Sequence, residues 1–220
     1  MDCDGTLRSR SAFYRIRKAQ SAIKPDNLPV FFGGTSPEAI EVAGRHADVY
    51  ATWGETLAAT RDTITRVRAS AARYGRSPGF SLSLRPVIAA TEAEAWKKAA
   101  DIVEQVREAR LRLGLPIKDH APPNDGSRRL LETASSLRQD ERLWTGVAQL
   151  TGAAGNSTGL VGTPEQVADA MLEYYRLGVD HFLIRGFDPL GDAEIYGRDL
   201  LPVVREKIAA YDALNRAEAS

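Results

Sequence analysis

The sequence predicts an α/β fold assembled from parallel βα units. Three observations carry this reading. Short apolar runs alternate with longer amphipathic stretches, several of those stretches open on N-capping signals, and no hairpin turn follows the first thirty residues. The apolar runs that read as strands are Leu28–Phe32, Asp48–Thr52, Phe80–Ala89 and His181–Arg185. A helical pattern follows each of them.

The first helix is announced by Ser36-Pro37-Glu38, an N-cap, a proline at the first helical position and an acid in the first turn. The second runs from about Glu55 to Tyr74, with Leu57, Ile64, Val67 and Ala71 on one face and Gly75 at its end. Thr91 and Glu94 form a capping box for the third, which carries Trp96, Ala99, Val103 and Val106 on one side and stops at Gly114 and Pro116. The pattern weakens from Leu115 to Gly162. Leu130 to Trp144 is expected to hold one or two short helices, and Gly152 to Gly159 reads as a flexible small-residue stretch. Thr163-Pro164-Glu165-Gln166 opens a further helix that ends at Gly178, and the last helix spans about Ala193 to Leu214.

Bulk properties narrow the function. A chain of 220 residues, 43% hydrophobic and 26% charged, supports one good core. Basic and acidic residues balance at 29 each, which favours neither nucleic acid nor an acidic membrane surface. Cys3 is the lone cysteine, so no internal disulfide forms and a cytoplasmic location is expected. No apolar run reaches the roughly 18 residues of a membrane span. The opening Met1-Asp2-Cys3-Asp4 has no signal-peptide character.

The strongest local signal is Gly33-Gly34-Thr35-Ser36-Pro37. Glycines admit a ligand close to the backbone, and a helix start offers unpaired N–H groups and the positive end of a dipole. Thr35 and Ser36 add hydroxyls. These are the parts of a phosphate cradle, and equally of a plain βα turn with a good cap. Trp53 ends the second strand, at the end of a parallel sheet where ligands sit, and reads either as a cofactor wall or as core. Arg85 and Arg185 lie near the ends of the third and fourth strands, where two guanidinium forks would suit a phosphate, carboxylate or sulfonate. Ser81, Ser83 and Arg85 on one face of the third strand suggest a polar pocket, or a salt-bridged arginine at a strand end. His46, His120 and His181 form no metal motif, and no metal is expected. No serine-hydrolase elbow is present, so a cofactor is expected to carry the chemistry.

The stretches "LPVFFGGTSPEAIEVAGRHADVYATWGE", "FSLSLRPVIAATEAEAW", "ERLWTGVAQLTGAAGNSTGLVGTPEQVADAM" and "DHFLIRGFDPLGDAEIYGRDLLPVV" resemble successive blocks of the luciferase-like flavin-dependent monooxygenases, in the alkanesulfonate monooxygenase branch. The resemblance implies a (β/α)8 TIM barrel of which residues 1–220 hold strands five to eight, with a mobile insertion over 115–162. The chain is thus expected to begin in mid-barrel and to lack the N-terminal strands. It further implies reduced FMN delivered by a separate NAD(P)H-dependent reductase, and O2 used to cleave a C–S bond to aldehyde and sulfite. A homo-oligomer is expected. On this resemblance Gly34, Thr35 and Ser36 hold the flavin phosphate, Trp53 lines the pocket, and Arg85 with Arg185 orient an anionic substrate or the oxygenated flavin. The chain departs where sulfonate-cleaving members carry Arg-x-His on the seventh strand, which aligns with Ser83 and Arg85, and where their Tyr after the eighth aligns with Phe187. The alternatives are F420-dependent hydride transfer on the same barrel and a non-catalytic flavin-binding remnant.

Overall fold

The computed structural model describes residues 7–19, 27–115, 117, 127–129, 131, 138–153 and 157–218. In chain order the strands and helices are β1 (Leu7–Arg10), β2 (Arg15–Ala19), β3 (Phe31–Phe32), α1 (Pro37–His46), β4 (Val49–Trp53), α2 (Leu57–Ala72), β5 (Gly79–Leu84), β6 (Val87–Ile88) and α3 (Glu92–Arg112). They continue as β7 (Arg138–Gln139), β8 (Leu143–Trp144), α4 (Gly146–Thr151), β9 (Gly159–Gly162), α5 (Pro164–Leu177), β10 (His181–Ile184) and α6 (Pro189–Ile195). A π-helical turn (Tyr196–Leu200) then leads into α7 (Leu201–Glu218).

The main sheet has the order β10-β5-β4-β3, and every pairing in it is parallel. This is the arrangement that strand–helix alternation requires, because each helix returns the chain to the same end of the sheet. The helices start where their caps dictate. Ser36 Oγ accepts the Ala39 N–H, while Thr91 with Glu94 and Thr163 with Gln166 close reciprocal capping boxes.

The two faces of this sheet differ in kind. Tyr50, Phe80, Leu82 and Leu84 share one face with Phe182 and Ile184 and pack into the principal core with Ile40, Val67, Met171, Tyr174 and Leu200. Val49, Ala51, Trp53, Ser81, Ser83, His181 and Leu183 occupy the other. That second face curls inward. Phe31 and His181 stand on opposite edge strands, three strand spacings apart, or about 14 Å in a flat sheet. Their rings nevertheless meet at 5.7 Å, edge to face. Small side chains at Ala51, Ser81 and Ser83 make room for that curvature.

The sheet does not close. Among the described residues β3 and β10 remain open edges, and no closed barrel is formed. A second four-stranded sheet, ordered β6-β9-β8-β7, stands beside it. Its origin corrects two expectations. The single strand expected over Phe80–Ala89 breaks at Arg85-Pro86, so β5 stays in the main sheet while β6 pairs in parallel with β9. Proline cannot donate a ladder bond, which makes it the natural switch between sheets. In the segment expected to be helical, 138–144 forms an antiparallel hairpin instead, and Leu143 and Trp144 are buried. β9 falls where the sequence pattern weakens, since its Gly159-Leu160-Val161-Gly162 is short and flanked by small residues. The rest of the 130–137 helix expectation falls mostly outside the described residues, as does His120.

One polar network ties the second sheet to its helices. Glu92, at the start of α3, lies 2.6 Å from Arg142 and accepts from Gln166 Nε2 at 2.9 Å and Trp96 Nε1 at 3.2 Å. Arg142 first, then Gln166, hold the Glu92 carboxyl down at about 2.

Candidate functional site

The parallel order brings the sequence-predicted residues to one end of the main sheet. Gly34, Thr35 and Ser36 follow β3, Trp53 ends β4, Arg85 follows β5 and Arg185 follows β10. They therefore stand on four adjacent strand ends, the rim where parallel α/β folds place ligands.

The glycine–hydroxyl corner is tightly constrained. Gly34 has φ +152°, and a Cβ there would meet Ala39 Cβ at 2.7 Å. A Cβ on Gly33 would stand 2.8 Å from the Ala51 carbonyl oxygen, so the corner presses against β4. Ser36 Oγ accepts from Ala39 N at 3.2 Å, which leaves its own hydroxyl proton free to donate. Thr35 Oγ1 is buried and has no hydrogen-bond partner among the described residues. A buried orphan hydroxyl costs free energy unless something satisfies it. At a helix start with a second hydroxyl beside it, the group that satisfies it best is anionic and rich in acceptors. The residues therefore fit a phosphate tail.

Trp53 packs against Ala148 and Ala153. Arg85 is partly tied down. Its Nη1 donates to the Gly186 carbonyl at 2.7 Å, and its guanidinium lies 5.0 Å over the Phe187 ring. Burial, and then the neighbouring Arg185, lower its pKa. Arg185 itself is exposed. Asp192, in α6, fixes the loop beyond them: its Oδ2 accepts from the Phe187 and Asp188 N–H groups at 2.9 and 3.1 Å, while Oδ1 meets Lys98 Nζ at 3.0 Å.

Several contributors were not read from the sequence. Tyr50 is fully buried, and its hydroxyl donates to the Gly34 carbonyl at 2.6 Å. Burial pushes its pKa up to about 12. Glu55 lies just beyond Trp53, is 4% exposed and pairs with Arg129 at 2.8 Å. Arg129 also donates to Thr63 Oγ1, and Tyr174 OH donates to the Glu55 carbonyl. Burial raises the Glu55 pKa and the Arg129 charge opposes it. A buried tyrosine hydroxyl usually takes a partner, the one signal that could have pointed to Tyr50. The Glu55–Arg129 pair spans 74 positions and left no local trace. Segment 157–159 closes over the rim: Thr158 is fully buried, its carbonyl accepts from Arg85 N at 2.9 Å, and a Cβ on Gly54 would reach Thr158 Oγ1 at 2.7 Å. Two surface grooves, of about 470 and 510 Å³, are present as well, one beside Asp140 and Tyr174 and the other between α3 and α6, bordered by Phe187 and Asp192.

With this geometry in place, comparison with known proteins is decisive for the family. The model of the luciferase-like monooxygenases matches residues 5–181. The chain belongs to the luciferase-like monooxygenase family. Solved structures share its fold. A riboflavin lyase determined with modified FMN and riboflavin superposes with a TM-score of 0.64 at 22% identity, covering 92% of this chain and 48% of that one. An EDTA monooxygenase from Chelativorans sp. BNC1 gives 0.62 at 20%, covering 92% and 52%. An F420-dependent secondary alcohol dehydrogenase, solved with an F420–acetone adduct, gives 0.59 at 16%, covering 92% and 57%. The luciferase-like chain described here spans about half the length of these structures. Among its described residues, no group of three or more His, Cys, Asp or Glu side chains is arranged to hold a metal, and no helix is long and apolar enough to cross a membrane.

Proposed function

We propose that this chain supplies the flavin-phosphate corner and part of the substrate rim of a reduced-flavin-dependent monooxygenase that oxidises a small anionic compound with O2. An alkanesulfonate, cleaved to aldehyde and sulfite, is the first substrate to try. The observation that carries the reading is the orphan Thr35 hydroxyl beside the Ser36 cap at the end of β3. On this reading β3, β4, β5 and β10 are barrel strands five to eight of a single luciferase-like domain, and 115–162 is its insertion beside the pocket. FMN is the cofactor, with a flavin reductase as the partner that supplies it reduced, and the working enzyme is an oligomer.

When bound, reduced FMN supplies the activation of O2. The chain's own residues have simpler duties. Thr35, Ser36 and the backbone at Gly34 bind the phosphate. Trp53 walls the rim. Arg85, fixed by Gly186 and Phe187, shapes the mouth, and the exposed Arg185 offers the charge that draws in an anionic substrate. Segment 157–159 keeps water from the strand ends.

Anaerobic titration with reduced FMN tests this reading. Thr35→Ala/Ser36→Ala is expected to weaken binding at least about tenfold, since two hydrogen bonds to a charged group are lost; unchanged affinity removes the phosphate assignment. A second reading, F420-dependent hydride transfer, is favoured by the match to the F420-dependent dehydrogenase across 92% of the chain. Reduction of F420 by a secondary alcohol without O2 would select it.

A further inference from the structure

We infer that Tyr50 is a positioning residue for cofactor recognition, acting through the Gly34–Thr35 peptide to aim the Thr35 N–H at a phosphate. The inference rests on the phosphate reading of the corner. It starts from the shape of one peptide unit. The Gly34 carbonyl and the Thr35 N–H belong to the same planar group, and the chain's described peptide bonds are all trans, so the two point in opposite directions. Tyr50 OH grips the Gly34 carbonyl at 2.6 Å from the core side. The Thr35 N–H is thereby directed away from the core, toward the mouth of the corner.

That grip is firm at both ends. The Tyr50 ring is fully buried and packs edge to face on Phe80, with centroids 6.4 Å apart, so the hydroxyl has no freedom to swing. Its proton is retained through the whole neutral range, because burial raises its pKa to about 12. Gly34 needs the restraint. At φ +152° it occupies backbone space closed to other residues, and glycine left alone samples many other conformations. The Thr35 side chain follows the same peptide, and its buried Oγ1 is the hydroxyl that lacks a partner. One hydrogen bond from beneath thus sets the direction of the Thr35 backbone donor. It also engages a carbonyl whose negative end would repel an anion if it turned outward.

The test compares FMN with riboflavin, which differ by the phosphate alone. Fluorescence titration of the native chain is expected to show FMN bound at least about tenfold more tightly. Tyr50→Phe keeps the packed ring and removes the grip. It should weaken FMN about fivefold, the size of one ordinary hydrogen bond, and leave riboflavin within about twofold. A merely structural role for Tyr50 would move both ligands together. An unchanged FMN-to-riboflavin ratio in Tyr50→Phe, with the preference intact in the native chain, would overturn the role of Tyr50 and spare the phosphate reading. Absence of any FMN preference in the native chain would overturn both. Should Tyr50→Phe fail to fold, the Thr35 amide of the native chain decides: its NMR resonance should move with FMN and not with riboflavin, and no movement with FMN contradicts the inference.

Discussion

The two faces of the main sheet follow opposite rules. The helix-covered face is built from large side chains with no freedom: Tyr50, Phe80, Leu82 and Leu84 are all at most 2% exposed. The inner face carries Ala51, Ser81 and Ser83 at its centre, with Phe31 and Leu183 more than half exposed at its edges. Stability is concentrated on the first face. The second gives up burial for space, and its strand ends carry the corner, the tryptophan and the two arginines. A single strand serves both, because alternate residues point to opposite sides.

The sharpest way to break this comparison is to truncate matching leucines. Leu82→Ala on the packed face should cost about 2–5 kcal/mol, by lost burial and the cavity left behind. The rim comes next. Arg129→Ala leaves Glu55 buried without its partner and should cost about 3 kcal/mol, and adding Glu55→Gln should restore much of the loss. Urea denaturation of each variant measures both.

A pH series sharpens the contrast for the second sheet. The folded-state pKa of Glu92, about 2, lies below its ordinary value of 4.5. Its contribution is therefore complete above pH 4.5 and declines as pH falls toward 2. Glu92→Gln should be less stable than the native chain at neutral pH, and the gap should narrow across that window. The smallest effect belongs to the inner face. Leu183 is 54% exposed, and Leu183→Ala should change stability by less than about 0.5 kcal/mol. A loss like that of Leu82 would show the inner face to be packed against something in solution.

Features determined by neighbouring residues were legible in the sequence. Ser36, Thr91 and Thr163 announced their helices because capping is decided within a turn. The four parallel strands were legible, although the third was carried past its end at Leu84, since apolar runs and the alternation of Phe80, Leu82 and Leu84 with Ser81 and Ser83 record burial directly. What required a distant partner was not legible. β6 and β9 are too short to show a period and exist because they pair with each other. Arg129 looks like any surface arginine until Glu55 is placed beside it. Tyr50 sits in an apolar strand as any core residue would, and only the folded chain sets its hydroxyl beneath Gly34.

The account stands on the corner at the end of β3, and amide hydrogen exchange with and without reduced FMN tests it most directly. Binding should slow exchange at Thr35 and Ser36 while leaving the distant hairpin at 138–144 unchanged. FMN that binds with no protection at those two amides, or with protection confined to other parts of the chain, would contradict it.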